Sequence, residues 1–204
     1  MDGVFMKKFI KILVCTCLIL SAIAVTDVYC DKKALQENLI RLHVVADSDS
    51  QEDQEIKLQV KNAVVAYLQP LVDGFESKEE TMDYIADNLF SIQKVANTVL
   101  QELGNKDRAA VYLCAETFNT RQYETFSLPA GVYDSLRIQI GEGKGKNWWC
   151  VVFPSLCLPA TSDGFQDSAV SSGFSEELGS TLVSGRNFRF FILDCLGKLE
   201  NLFY

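Results

Sequence analysis

The sequence predicts an α+β fold, with two helices packed on one face of a mainly antiparallel sheet, as a single domain behind an N-terminal signal segment. Three observations lead there. The apolar pattern runs from a period of two, through two long stretches at helical spacing, and back to a period of two, an order that builds helices onto a sheet. Composition is ordinary for a globular chain, with 48% apolar and 23% charged among 204 residues, which excludes disordered, collagenous and polytopic membrane classes. Setting aside a short N-terminal segment leaves about 170 to 180 residues, the size of one domain with a substantial core.

The first residues carry an export pattern. Lys7, Lys8 and Lys11 precede an uncharged apolar run from Ile12 to Val25, and Asp27 follows. A run of about 14 residues falls short of the about 20 needed to span hydrocarbon, which fits the apolar region of a signal peptide. Ala22 and Ala24 supply a small-residue site, so cleavage is expected after Ala24. With Phe9 and Ile10 counted, an uncleaved anchor interrupted by Lys11 is the alternative. A lipoprotein is disfavoured because bulky Tyr29 precedes Cys30. Loss of residues 1–24 removes three lysines and Asp2, leaving a chain more acidic than the −8 of the whole. The expected organisation is 1–24 as signal or anchor, 31–159 as core domain, 160–187 as a flexible polar segment and 188–204 as a C-terminal strand and helix.

Leu39 to Ala46 alternates as a strand, with Ile40, Leu42 and Val44 on one face and Arg41, His43 and Val45 on the other. Asp47, Ser48 and Asp49 form a polar turn, and Ser50 with Asp53 makes a capping box that opens a helix. Its stripe runs over Ile56, Val60, Val64, Leu68 and Leu71, with Pro70 and Gly74 closing it. Ser77 with Glu80 opens a second helix, whose apolar face continues from Met82 to Leu103 before Gly104. Strands are then expected over Ala109–Ala115, Tyr123–Leu128, Ser135–Ile140 and Trp148–Phe153, with Pro129, Ala130 and Gly131 as turn chemistry. Residues 160–187, rich in Ser, Gly, Asp and Thr, read as a mobile surface stretch. Phe188–Ile192 is expected to rejoin the sheet ahead of a helix on Leu193, Leu196, Leu199 and Phe203. No internal repeat is present.

Several chemistries fail on the residues themselves. A pI near 4.7 argues against nucleic acid, whose binders concentrate Lys and Arg. Asp47, Asp49, Glu52 and Asp53 resemble a calcium loop, but Glu52 stands where an EF-hand needs Gly and Leu58 where it needs Glu. Helix capping and acids at a helix N-terminus account for them. With a single histidine and scattered thiols no zinc clip exists, and no cofactor or metal site is expected. Gly141, Gly143 and Gly145 with Lys144 and Lys146 miss the nucleotide templates: Asn147 follows Lys146, and a strand follows where a helix N-terminus is needed. Three glycines instead allow close backbone approach, and two lysines make a positive spot on an acidic protein. On a strand Trp148 and Trp149 point to opposite faces, so either one is left near the surface as a partner anchor or both are covered.

Five cysteines follow the signal segment. Cys150 and Cys157 are the expected disulfide, since Pro154 lies midway; two buried thiols are the alternative. Cys150 with His43 is the one histidine-based nucleophilic dyad the chain offers, although a histidine on the polar side of a strand reads first as a solvated residue.

Arg41-Leu-His-Val-Val-Ala-Asp-Ser-Asp-Ser with Asp53-Gln54 and Lys57, Leu128-Pro-Ala-Gly-Val-Tyr133, Gly141-Glu-Gly-Lys-Gly-Lys-Asn-Trp-Trp-Cys150 and Phe153-Pro-Ser-Leu-Cys157 together resemble the stage II sporulation protein R family. The likeness spans about residues 38 to 158, with a looser tail over Phe188 to Tyr204. It departs at Asp47, where the family often has Asn, and near Asn119, where Pro is common. The resemblance implies a secreted intercellular signal, exported across the forespore membrane into the intermembrane space. It implies as partner a membrane-bound aspartic protease that cleaves the pro-form of sigma factor E, so the chain itself would not be an enzyme. Membrane contact is expected only through the N-terminal segment. Lys144, Lys146, Asn147, Trp148 and Trp149 are the expected contact patch, stapled by Cys150 and Cys157. An envelope thiol-dependent hydrolase using Cys150 and His43, and an inert structural domain, are the competing classes.

Overall fold

The computed structural model describes residues 3–72, 74–123, 125–154 and 169–204. In chain order the elements are helix α1 (Gly3–Asn38), strand β1 (Ile40–Val45), helices α2 (Gln51–Val72) and α3 (Lys78–Glu102), then strands β2 (Ala109–Phe118), β3 (Arg121–Gln122), β4 (Ser127–Leu128), β5 (Gly131–Ile140) and β6 (Asn147–Phe153). Helices α4 (Glu176–Ser184) and α5 (Phe188–Glu200) close the chain. The main sheet has the order β2-β5-β1-β6, and β3 pairs with β4 alone. β1 runs parallel to β5 and antiparallel to β6, while β2 and β5 are antiparallel. The sheet is mixed and mainly antiparallel, as the pattern of the sequence requires.

α2 and α3 cover one face, as expected, and their buried stripes meet Ile40, Leu42, Val44, Leu136, Ile138 and Val152 in one core. α3 opens where the capping residues place it: Ser77 Oγ accepts from Glu80 N–H at 3.1 Å. α2 is capped by Ser50, whose Oγ accepts from Asp53 N–H at 3.1 Å. Pro70 lies inside α2, which runs on to Val72.

The second face is covered too. The C-terminal end of α1 with α4 and α5 buries Val28, Leu35, Leu39, Phe174, Leu178, Leu182, Phe190 and Leu193 against Phe118, Tyr133 and Val151. Two readings of the tail are corrected by this layer. Phe188–Ile192 is helix, not strand: Asn187 Oδ1 accepts from Phe190 N–H at 2.8 Å, and Phe190, Leu193, Asp194 and Gly197 line the buried side. Within 160–187, the part from Ala169 onward is ordered core. Ser175 caps α4, Leu178 and Leu182 are fully buried, and the polar residues that gave the stretch its loop-like composition lie largely on the outer side. Residues 155–168 lie outside the described residues. The expected strand Tyr123–Leu128 is replaced by the short β3–β4 pairing, in which Tyr123 N–H bonds to Phe126 O at 2.8 Å.

α1 is one continuous helix from the apolar N-terminal segment into the domain. Its apolar N-terminal part is exposed and is long and apolar enough to cross a membrane, a test that a signal sequence also passes.

Candidate functional site

Topology places the glycine loop. β5 and β6 flank β1, so the chain joining them must arch over the end of β1, where Ala46 to Ser50 leave the sheet. The two loops bond directly: Lys144 N–H to Asp47 O at 3.0 Å, Gly145 N–H to Ala46 O at 2.9 Å, Glu142 N–H to Asp47 Oδ1 at 2.6 Å and Lys146 N–H to Asp49 Oδ1 at 2.7 Å. A β-carbon at Gly141, which has φ +55°, would collide with the Asp47 carboxylate, and one at Gly145 with the Ser48 carbonyl. Close approach is therefore what these two glycines provide. Asn in place of Asp47 offers the same side-chain oxygen to Glu142 N–H, so the departure from the family pattern leaves this bond available.

The acids of this turn are occupied as acceptors. Asp53 accepts from the hydroxyls of Ser48 and Ser50, and those bonds hold its carboxyl below the ordinary range. Lys57 reaches from α2 beneath the loop to Gln54 Oε1 at 2.7 Å and the Lys146 carbonyl at 3.0 Å. It is buried, and that burial lowers the affinity of its amine for a proton. The motif Asp-Ser-Asp-Ser with Asp53, Gln54 and Lys57 is thus a cradle that fixes the glycine loop.

The patch expected to meet a partner is only partly one surface. Lys144, Lys146 and Asn147 are exposed, with Lys144 paired to Glu142. Trp148 and Trp149 are each half-buried and lie on opposite faces of β6, an edge strand of the sheet. Trp148 packs on the α2–α3 side with the Lys61 amine 4.7 Å from its ring. Trp149 stacks on His43 at 3.7 Å, meets Phe118 edge-on at 4.8 Å and has the Arg121 guanidinium at 5.2 Å. Lys144, Lys146, Asn147 and Trp148 can face one partner; Trp149 chiefly anchors the strand.

Cys150 is buried and its sulfur is disulfide-bonded; Cys157, the expected partner, lies outside the described residues. The dyad is another matter. Register pairs Cys150 with Leu42 and Trp149 with His43, so the Cys150 sulfur, already held in a disulfide, and the imidazole leave the sheet on opposite faces and cannot act on one substrate. His43 is also buried, not solvated, because β1 is a central strand with both faces covered.

On the His43 face lies a polar row that sequence reasoning missed. His43 Nδ1 is 2.7 Å from Glu116 Oε2, Arg137 Nη1 is 3.6 Å from the same oxygen, and the Cys114 thiol donates to Glu116 Oε1 at 3.3 Å. Burial pushes Glu116 up, but the bonds from His43 and Cys114 and the charge of Arg137 leave it below the usual carboxylate range. Burial first, then Glu116, pushes the Cys114 thiol up to about 11, far from a reactive thiolate. Arg41 is fully buried, with the guanidinium 4.1 Å from the Phe118 ring and Nη2 donating to the Tyr123 hydroxyl at 2.9 Å. The available signal was Arg and His on a strand whose every neighbour is apolar. Among the described residues no group of three or more His, Cys, Asp or Glu is placed to hold a metal ion.

Comparison with known proteins agrees with the likeness carried by these motifs. The model of the family described as stage II sporulation protein R matches residues 36–163. Stage II sporulation protein R of Bacillus subtilis (strain 168) is 34% identical over 130 residues, covering 64% of this chain and 58% of the relative, so the match spans less than two thirds of that protein. No solved structure matches. The matched region runs from the last turn of α1 through the cradle, the polar row and the glycine loop to beyond β6, and the chain belongs to the stage II sporulation protein R family.

Proposed function

We propose that the protein is an exported sporulation signal that activates a membrane-embedded aspartic protease, which then processes pro-sigma-E in the mother cell. Family membership carries this reading, and sporulation is the role it gives the chain. The protein works in the intermembrane space after export, or while held by its apolar helix, and does so without catalysis of its own. The rigid glycine loop supports a binding role. Its backbone is fixed by the Asp47 and Asp49 carboxylates, so Lys144, Lys146 and Asn147 are presented with little ordering cost on binding. A ligand of this kind needs only to bind one state of the protease better than another. The hydrolase reading has no geometric support, because His43 and Cys150 lie on opposite faces.

Co-expression with the candidate protease and a sigma-E-dependent reporter tests the reading. The full chain should switch the reporter on, and the chain without residues 1–24 should not, for want of export. Lys146→Ala with Trp148→Ala should cut protease binding by about thirtyfold, the effect of losing a hot spot of about 2 kcal/mol, while the circular dichroism spectrum stays unchanged. An active reporter in the absence of the chain, or substrate turnover by the purified chain alone, would overturn it.

A further inference from the structure

Among the described residues Arg41 is the largest side chain that is fully buried, and no carboxylate there pairs with it. Its Nη2 reaches Tyr123, but Nε and Nη1 are buried without a hydrogen-bond partner among the described residues. A guanidinium does not deprotonate in a protein, so this is a permanent buried charge. The rings of Phe118 at 4.1 Å and Tyr133 at 5.4 Å offset part of it through their negative faces. They offer nothing to two N–H groups lying in the plane of the guanidinium.

Directly across the β1–β5 ladder stands Ser135, also fully buried, and its Oγ has no hydrogen-bond partner among the described residues either. Paired residues on neighbouring strands leave the sheet on the same side, so Ser135 and Arg41 start from adjacent positions on one covered face. Glu116, a half-buried acid on this face, is already bonded to His43 and Cys114 and paired with Arg137. Asp194 is taken by Thr120, Ala130 N–H and Lys198. Arg121, whose Nε is orphaned in the same way, adds a second positive charge beside Trp149. Among the described residues the carboxylates near this face are engaged, and the buried oxygens left unpaired, Ser135 Oγ, Thr125 Oγ1 and Asn201 Oδ1, carry no charge to answer Arg41.

We propose that Arg41 Nε and Nη1, with the Ser135 hydroxyl, bind a small monovalent anion of the halide or short-carboxylate class, held inside the domain between the sheet and its C-terminal layer. Water would satisfy the N–H groups but leave the charge; an anion answers both. Arg41 and Ser135 are both fully buried, so the ion is part of the folded structure and its release is coupled to unfolding.

Thermal unfolding of the full chain in nonionic detergent tests this, with sodium chloride exchanged for sodium gluconate at constant ionic strength. The bulky gluconate serves as the excluded control. The melting temperature should rise with chloride, each tenfold increase above the dissociation constant adding about 1.4 kcal/mol, while gluconate gives no rise. Acetate should substitute for chloride. Ser135→Ala should shift the half-effect concentration upward severalfold, and Arg41→Gln should abolish the dependence. Should Arg41→Gln fail to fold, the Ser135→Ala shift and an anomalous bromide peak within hydrogen-bond distance of Arg41 in crystals grown with bromide carry the test. Equal melting temperatures in chloride and gluconate, with no bromide peak, would overturn the proposal.

Discussion

At Gly145 the chain lies so close to the Ser48 carbonyl that a single added methyl group has nowhere to go, because the atom it meets is backbone held by the start of α2. Gly145→Ala must therefore part the two loops, breaking the bonds from Gly145 and Lys146 to Ala46 and Asp49. We expect a loss of about 1–3 kcal/mol in urea unfolding and a matching loss of reporter output, whereas alanine at exposed Lys144 should leave stability unchanged. A Gly145→Ala variant as stable as the parent would show that the cradle does not bind the loop tightly. Glu116 gives a second prediction on this scale. Its carboxyl sits below its unfolded value, so its contribution to stability is present above the ordinary carboxylate range and is lost as pH falls through the lowered folded value. The difference in urea midpoint between the parent and Glu116→Gln should be largest at neutral pH and shrink toward pH 3. A difference that stays constant with pH would mean that the His43 and Cys114 bonds do not depend on the charge. Glycines that need close approach were legible in the sequence as an interrupted, basic loop. Their reason was not, since Asp47 and Glu142 meet only after β1 has been laid between β5 and β6.

Helices α2 and α3 were readable because each sends one apolar stripe to a single sheet face and carries its own start signal. Ser77→Ala should cost about 1 kcal/mol by removing the acceptor for Glu80 N–H at 3.1 Å, seen as a lower urea midpoint with an unchanged slope. An unchanged midpoint would show that another group takes over the cap. Of the main-sheet strands, β1 and the Ser135–Ile140 part of β5 were legible by alternation, whereas β6 reads as an apolar run of aromatic and β-branched residues. Legibility failed where local preference and tertiary packing disagree. Phe188 to Ile192 is aromatic and branched, which favours strand, yet the Asn187 cap and burial of Phe190 and Leu193 on α1 and β5 hold it as α5. β1 shows the converse problem. Arg41 and His43 read as the wet side of a two-faced strand, and only the covering of that side by the C-terminal layer makes them interior.

That second layer joins the two ends of the chain, and it divides α1 into parts with different duties. Up to Val25 the described side chains of the helix are exposed, while Val28, Asp31, Leu35 and then Leu39 are built into the core beside α5. Asp31 receives Arg189 of α5, and Lys32 and Gln36 meet Glu200 at its other end, so the last turns of α1 clamp α5 along its length. Removal of residues 1–24 strips only surface that the fold does not use, and the expected cleavage after Ala24 falls on the outer side of this division. Removal of residues 1–38 takes Val28 and Leu35 out of the core and leaves Arg189 with Glu177 but without Asp31. At about 1.5–3 kcal/mol for each buried aliphatic side chain, the longer deletion should lower unfolding free energy by about 3–6 kcal/mol, a large share of the stability of a domain this size. Urea titration followed by tryptophan fluorescence separates the two variants. Trp149 lies on the face that α1 and α5 help to cover, so the longer deletion should also shift its emission to the red in the absence of urea. Equal midpoints for the two deletions would mean that α1 adds nothing to the fold and that the domain begins at β1.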